Sequence, residues 1–255
     1  MNVVVCVKQI PDPAIPGELD PQTHYMKRDG KLILDDSDAY GVEMALQLVS
    51  AAGGGDVTLV SMAPNGEVSG LRTGLAMGAA KAVLVSDDSL RGADALTTAK
   101  VLGAAIGRAG DYDLVLAATE SSDGYTGIVP EAIAAVLGLS SITFAKSIEV
   151  EGTTVKVKRQ TEAGFDEVET PLPALVSVTA GVVEPRYPSF KGIMAAKNKP
   201  VDAVTVADLG VAVGDWGQEI LTVDPAPARQ AGEIVEDDGE GFQKIVAFLE
   251  IQKVI

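Results

Sequence analysis

The sequence predicts an α/β fold: a parallel sheet with crossover helices, an antiparallel strand extension and a C-terminal arm. Three observations carry that prediction. Short, continuously apolar runs alternate with segments of helical periodicity through the first half, as buried parallel strands joined by helices require. After residue 140 the pattern changes to strands separated by tight turns. Hydrophobic residues make up 47% of the chain and aromatics only 4%, so alanine, valine and leucine must fill the interior of a helix-covered sheet.

In chain order, residues 3–7, 57–61, 82–85 and 114–118 read as buried strands. Ala39, Val42, Leu46 and Val49 repeat at helical spacing and give their segment one apolar face. Residues 71–79 and 93–109 read as two further helices. Residues 25–34 read as a hairpin turning at Asp29-Gly30. Strands follow at 142–150, 154–160 and 166–169, with turns at Glu151-Gly152 and Ala163-Gly164, and residues 174–178 end the antiparallel extension. Residues 193–197 read as a short surface helix. Asp224-Pro225-Ala226-Pro227 marks a linker, dividing a main domain (residues 1–223) from a linker and amphipathic arm (residues 224–255). There an acidic run (Glu233, Glu236, Asp237, Asp238, Glu240) precedes a helix at 240–252 with the stripe Phe242, Ile245, Val246 and Leu249.

A chain of 255 residues makes one large domain or a domain with extensions. No apolar run approaches the ~18 residues that cross a bilayer. The N-terminus enters a strand directly, with no basic region and cleavage site, and one cysteine excludes an internal disulfide framework. The expected location is cytoplasmic. A formal net charge of −16 argues against nucleic acid and suits either a basic partner patch or plain solubility. Arg186, Lys191, Lys197 and Lys199 form a basic island in this acidic background.

Ligands of open parallel sheets bind at the carboxyl ends of the strands. Four such ends are offered: Lys8-Gln9, Met62-Ala63-Pro64, Ser86-Asp87-Asp88 and residues 119–127. The last is long, polar and glycine-punctuated and leads into a helix, so its N–H groups suit a phosphate; a plain strand-to-helix turn explains it equally well. Glu120 and Asp123 would repel a phosphate unless turned away. The G-x-G-x-x-G pattern and the phosphate-loop lysine are both absent, which disfavours Rossmann-type dinucleotide binding.

No catalytic set stands out. His24 is the only histidine, Cys6 lies in an apolar strand, and neither metal-ligand spacing nor a nucleophile elbow occurs. Asp35-Asp36 and Asp87-Asp88 suit helix capping. The chain is expected not to be an enzyme by itself. Phe190, between Ser189 and Lys191 on a Pro/Gly-bounded segment, reads as an exposed anchor for a transient protein contact or as a packed helix cap.

Glu184-Pro185-Arg186-Tyr187 and Ile193-Met194-Ala195-Ala196-Lys197 resemble the E-P-R-[YF] element and I-M-x-A-K run in the partner-recognition loop of the electron transfer flavoprotein beta subunit family. Val7-Lys8-Gln9-Ile10-Pro11-Asp12, Leu75-Ala76-Met77-Gly78-Ala79, Ser122-Asp123-Gly124 and Leu172-Pro173-Ala174 follow the family's order and extend the resemblance over most of the chain. It implies an adenine-nucleotide-binding fold in a heterodimer, with FAD held mainly by the alpha subunit and this chain completing the cavity. It also implies a structural AMP lined by Cys6, Asp35, Met62, Asp123, Gly124, Tyr125 and Thr126. Asp35 or Asp38 is the nearest match to a family asparagine. The implied docking residues are Arg186, Tyr187, Phe190, Lys191, Ile193, Met194 and Lys197, with Phe190 where the family often has leucine. Implied partners are the alpha subunit, embraced by the C-terminal arm unless that helix docks on its own domain, acyl-CoA dehydrogenase-like flavoenzymes of fatty acid beta-oxidation and a membrane quinone oxidoreductase as acceptor. The alternatives are a bifurcating subunit with a second FAD in place of AMP, a nucleotide-binding stress or signalling protein, and a nucleotide-dependent ligase or hydrolase.

Overall fold

A computed structural model describes the chain except for Pro64, Asp215, Trp216, Pro225, Ala226, Ala228, Arg229, Gln230, Glu233 and Asp238. Parts of the strand end at Met62-Ala63-Pro64, of the linker and of the acidic run therefore lie outside the described residues. The chain divides into two compact units, Met1–Ile220 and Leu221–Ile255.

The first unit begins with β1 (Val3–Cys6), β2 (Gln9–Pro11), β3 (Leu32–Leu34), α1 (Asp36–Ala51), β4 (Val57–Met62), α2 (Ser69–Met77) and β5 (Lys81–Val85). A 3-10 turn (Asp88–Leu90), α3 (Ala95–Ala109), β6 (Leu114–Ala118) and α4 (Val129–Leu137) follow. It continues with β7 (Ser140–Glu151), β8 (Thr154–Thr161), β9 (Gly164–Pro171), β10 (Ala174–Val178), α5 (Phe190–Ala196) and β11 (Val201–Val204). Among the described residues nine strands form one sheet in the order β11-β5-β4-β1-β6-β10-β7-β8-β9, with β8 and β9 antiparallel additions to a parallel body.

Alternation along the central strands divides the core. Val3, Val5, Leu59, Leu116 and Val176 face the cluster shared with Val42, Ala45 and Leu48 of α1 and Leu71 and Leu75 of α2. Val4, Cys6, Val60, Val115 and Leu175 face Val101, Ala105 and Ile106 of α3 and Ile133 of α4. Both faces of the sheet are thus covered, which is why its strands read as unbroken apolar runs.

The helix ends are chemically marked. Asp35 caps α1 by accepting from the Ser37 N–H at 3.0 Å, and Asp94 caps α3 by accepting from the Thr97 N–H at 2.7 Å. Gly138 closes α4 in the left-handed conformation at φ 68°.

Three expectations are corrected. The 25–34 hairpin does not form: Leu32–Leu34 pairs antiparallel with Gln9–Pro11, and an isolated bridge joins Leu19 to Met26. Gly30 does not adopt the positive φ that a two-residue Asp-Gly turn needs, and burying Leu32 and Leu34 favours the remote partner. β10 does not end the antiparallel extension but inserts between β6 and β7, parallel to both. The short surface helix starts at Phe190 rather than 193, because Ser189 caps it through the Gly192 N–H at 3.0 Å.

In the second unit α6 (Gly241–Ile251) leaves Phe242, Ile245, Val246 and Phe248 exposed, with Leu249 half-buried. Among the described residues no helix is long and apolar enough to cross a membrane.

Candidate functional site

The strand order reverses at β1: the chain goes from β1 to β4 and β5 on one side and returns to β6 on the other. Such a switch point leaves a crevice at the carboxyl ends of the strands. Here it holds a cavity of about 750 Å³, within the usual ~300–1,000 Å³ range of small-molecule sites. Its apolar lining includes Leu90, Leu102 of α3, and Val129 and Ile133 of α4. Lys8 and Gln9, the loop after β6 and residues 23–29 supply polar groups.

The loop after β6 is built from the outside in. Asp35, fully buried, gives one oxygen to its own helix cap and uses the other to accept from Ser122 N at 2.7 Å and Ser122 Oγ at 3.0 Å. Asp123 turns away from the loop's own N–H groups. Its Oδ1 accepts from Lys8 Nζ at 2.6 Å and its Oδ2 from Arg28 Nη2 at 2.5 Å. Burial raises the Asp123 pKa, but Lys8 and Arg28 outweigh it and hold the carboxyl below its ordinary value. The N–H groups of Thr126, Gly127, Ile128 and Val129 have no acceptor among the described residues. They lie at the start of α4 beside the cavity, where the helix end favours an anion, while Glu120, which also lines the cavity, opposes one: a carboxylate oxygen of Glu120 lies 3.4 Å from where a Cβ on Gly127 would be.

The sequence-derived nucleotide residues separate into two groups. Cys6, Met62 and Thr126 line the cavity. Asp35 and Asp123 shape its rim by fastening the loop, while Gly124 and Tyr125 face outward, Tyr125 at φ 49° and 68% exposed. Burial, and then the charge of Asp38, pushes the Cys6 thiol up to about 12, so it is an inert wall.

Asp38 also lines the cavity, and its Oδ2 accepts from Lys8 N at 2.5 Å. Burial holds its pKa well above the usual carboxylate range. Arg28 was not singled out from the sequence. It stood in an apparent turn, and only the pairing of β2 with β3 brings it to Asp123.

The segment from residue 184 to residue 199 lies elsewhere. Arg186 turns its guanidinium onto Glu43 of α1, with Nε and Nη2 donating to the two carboxylate oxygens at 2.6 and 2.9 Å. Burial alone would raise the Glu43 pKa; hydrogen bonds from Arg186 and Gln47 reverse that and hold it low. Lys199 donates to the Leu75 and Ala79 carbonyls at 2.9 and 2.7 Å, finishing α2. Of the basic island, Lys191 and Lys197 therefore stand free on the surface. Around them Tyr187 is 93% exposed and Phe190 81%, with Ile193 and Met194 also exposed. Gly192 allows α5 to lie close against α2, since a Cβ there would come 2.4 Å from the Ala76 carbonyl oxygen.

The electron transfer flavoprotein domain matches residues 23–209. The chain is similar to the electron transfer flavoprotein subunit beta of Mycobacterium leprae (strain TN), 40% identical over 264 aligned positions that cover 100% of this chain and 99% of that protein. It is similar at 36% to the subunit of the same name from Megasphaera elsdenii, with 100% of both chains covered. At 34% it is similar to the caffeyl-CoA reductase-Etf complex subunit CarD of Acetobacterium woodii, with 92% of each chain covered. Matches of this extent, on a fold that gathers the same motifs at two separate places, show that this chain belongs to the electron transfer flavoprotein beta subunit family.

Proposed function

We propose that this chain pairs with an electron transfer flavoprotein alpha subunit, completes the cavity of an FAD held mainly by that subunit, and carries AMP as a structural ligand. It serves as a carrier without catalytic residues of its own, between acyl-CoA dehydrogenase-like flavoenzymes and a membrane quinone oxidoreductase. A bound flavin supplies the redox chemistry, taking two electrons from a dehydrogenase and releasing them singly.

AMP fits the crevice on the chemistry of its walls. The adenine packs against the apolar lining that includes Leu102 and Ile133, and the phosphate meets the unpartnered N–H groups of residues 126–129. Cys6, Met62 and Thr126 line the ligand; Asp35 and Asp123 act through the loop, with Gly124 and Tyr125 at its outer edge.

The observation that carries the docking reading is the pinned loop with the two most exposed aromatic side chains among the described residues, Tyr187 and Phe190. Phe190 inserts into a pocket of the dehydrogenase, Tyr187, Ile193 and Met194 surround it, and Lys191 and Lys197 supply a basic rim. Arg186 contributes by holding the loop. One anchor with a small rim suits weak, fast exchange. The C-terminal arm, with its exposed apolar stripe, clasps the alpha subunit.

The test is reduction of the heterodimer at limiting dehydrogenase. Phe190→Ala should slow reduction while bound FAD stays intact; unchanged kinetics would overturn the docking role. A second reading, a bifurcating subunit with FAD in place of AMP, draws support from the same cavity of about 750 Å³, which reaches from Cys6 past Arg91 and has room beyond a mononucleotide.

A further inference from the structure

We propose that Arg72 and Lys199 form a crossed brace that holds α5 in a preformed geometry, so that Phe190, Ile193 and Met194 meet a partner as one rigid apolar stripe. The proposal rests on the docking reading above and adds two positioning residues that lie outside the contact surface.

Three observations support it. First, α5 lacks the means to stay seated by itself. It has seven residues, well short of the ~12–15 at which an isolated helix becomes even marginally stable in water. Among the described residues, Ala196 is the only side chain that it buries. Its larger apolar side chains, Phe190, Ile193 and Met194, are exposed, so apolar burial does little to fix it.

Second, each of two helices has its end covered by a cation belonging to the other. Nη1 of Arg72, on α2, donates to the carbonyls of Ala196 and Lys199 at 2.7 Å each. Nζ of Lys199, just past α5, donates to the carbonyls of Leu75 and Ala79 at 2.9 and 2.7 Å, at the end of α2. The last carbonyls of a helix have no partner within it and carry its negative dipole end, so a cation is favoured at both places. The same four bonds tie α5 to α2.

Third, the two helices touch closely at the other end of α5. A Cβ on Gly192 would come 2.4 Å from the Ala76 carbonyl oxygen, and Ser189 caps the first turn through the Gly192 N–H at 3.0 Å. Contact at Gly192 and bonds at Ala196 and Lys199 together fix both the position and the rotation of α5. Rotation sets where the stripe faces, because residues 190, 193 and 194 share one side of the helix at i, i+3 and i+4. A helix already seated spares the complex an ordering cost at docking.

The experiment follows reduction of the FAD-loaded heterodimer by an acyl-CoA dehydrogenase over a range of heterodimer concentrations, with amide hydrogen exchange of residues 190–197 measured alongside. Arg72→Met and Lys199→Met should each speed that exchange. With α5 then seated only about a tenth of the time, KM should rise about tenfold while kcat and bound FAD hold. Arg72→Lys should stay near wild type, because both Arg72 contacts come from one nitrogen that an ammonium can replace. In a Phe190→Ala background Arg72→Met should add less than it costs alone, since the brace acts through the stripe. Unchanged exchange in both methionine variants would overturn the brace. Faster exchange with KM unchanged, while Phe190→Ala does raise KM, would overturn the positioning role and leave the docking reading standing. A KM unmoved by Phe190→Ala would remove the docking reading itself and this role with it. If Arg72→Met does not assemble, Lys199→Met decides.

Discussion

The loop after β6 and the loop before α5 are fastened by the same device and serve opposite ends. In the first, the carboxylate of Asp123 sits on the loop, 6% exposed, and cations reach it from elsewhere. In the second, the cation of Arg186 sits on the loop and reaches Glu43, 4% exposed, on α1. Both also depend on α1, which holds Ser122 through Asp35 at its start and Arg186 through Glu43 two turns later. The first loop closes over a cavity, whereas the second leaves Tyr187 and Phe190 in solvent. The ion pair sets where a loop sits; the side chains beside it decide whether it borders a cavity or presents an exposed surface.

Substitutions should separate the two ends. The largest effect belongs to Asp35→Ala, which removes a helix cap worth about 0.5–2 kcal/mol and leaves the part-buried Ser122 donors unpaired at about 1–2 kcal/mol. Denaturant unfolding should show roughly 2–4 kcal/mol lost, together with loss of the nucleotide. A loss under about 0.5 kcal/mol, the size of an ordinary surface change, would mean that α1 does not hold the loop.

Phe190→Ala comes next, at about 2 kcal/mol of docking free energy, read as a rise in the KM for the dehydrogenase with stability untouched. Glu43→Gln should act in the same direction but less, at about 1 kcal/mol, by loosening the loop without removing its anchor. A double variant no worse than Phe190→Ala alone would show that Glu43 works only through the anchor. Full additivity would show a separate role.

The smallest effect is a change in pH dependence. Asp38, with its pKa raised, takes up a proton on folding between the ordinary carboxylate range and its own higher value, so stability falls as pH rises through that window. Asp123, with its pKa lowered, contributes stability above the ordinary range that is lost as pH falls through its folded value. Asp38→Asn should therefore flatten the decline on the higher-pH side and leave the acid limb in place. Denaturation midpoints at pH 5 and pH 8 would show this, and an unchanged slope would remove Asp38 from the explanation.

Much of the fold was legible because buried parallel strands carry their signal locally. Residues 114–118 are apolar without interruption, and Gly152 has the positive φ that a hairpin turn uses, whereas the second turn falls on Glu162-Ala163, with Gly164 already paired to Thr161. What misled was non-local. The Asp29-Gly30 pair reads as a turn, yet Leu32 and Leu34 gain more by burial beside Ile10. Residues 174–178 follow two hairpins in sequence but pair with β6. At the site, Cys6, Met62 and Thr126 could be placed from strand ends and motifs. Arg28 could not, because its partner lies 95 residues away. Likewise no local pattern announces that Arg186 and Lys199 turn inward, one onto Glu43 and the other onto the carbonyls that end α2.

The most direct test of the two-ended design is to purify this chain with whatever accompanies it, denature the complex and quantify the nucleotides released. One FAD and one AMP per heterodimer is the expected result. Two FAD and no AMP would contradict the structural-AMP role and move the chain to the bifurcating reading. A lone chain carrying ATP and no flavin would contradict both.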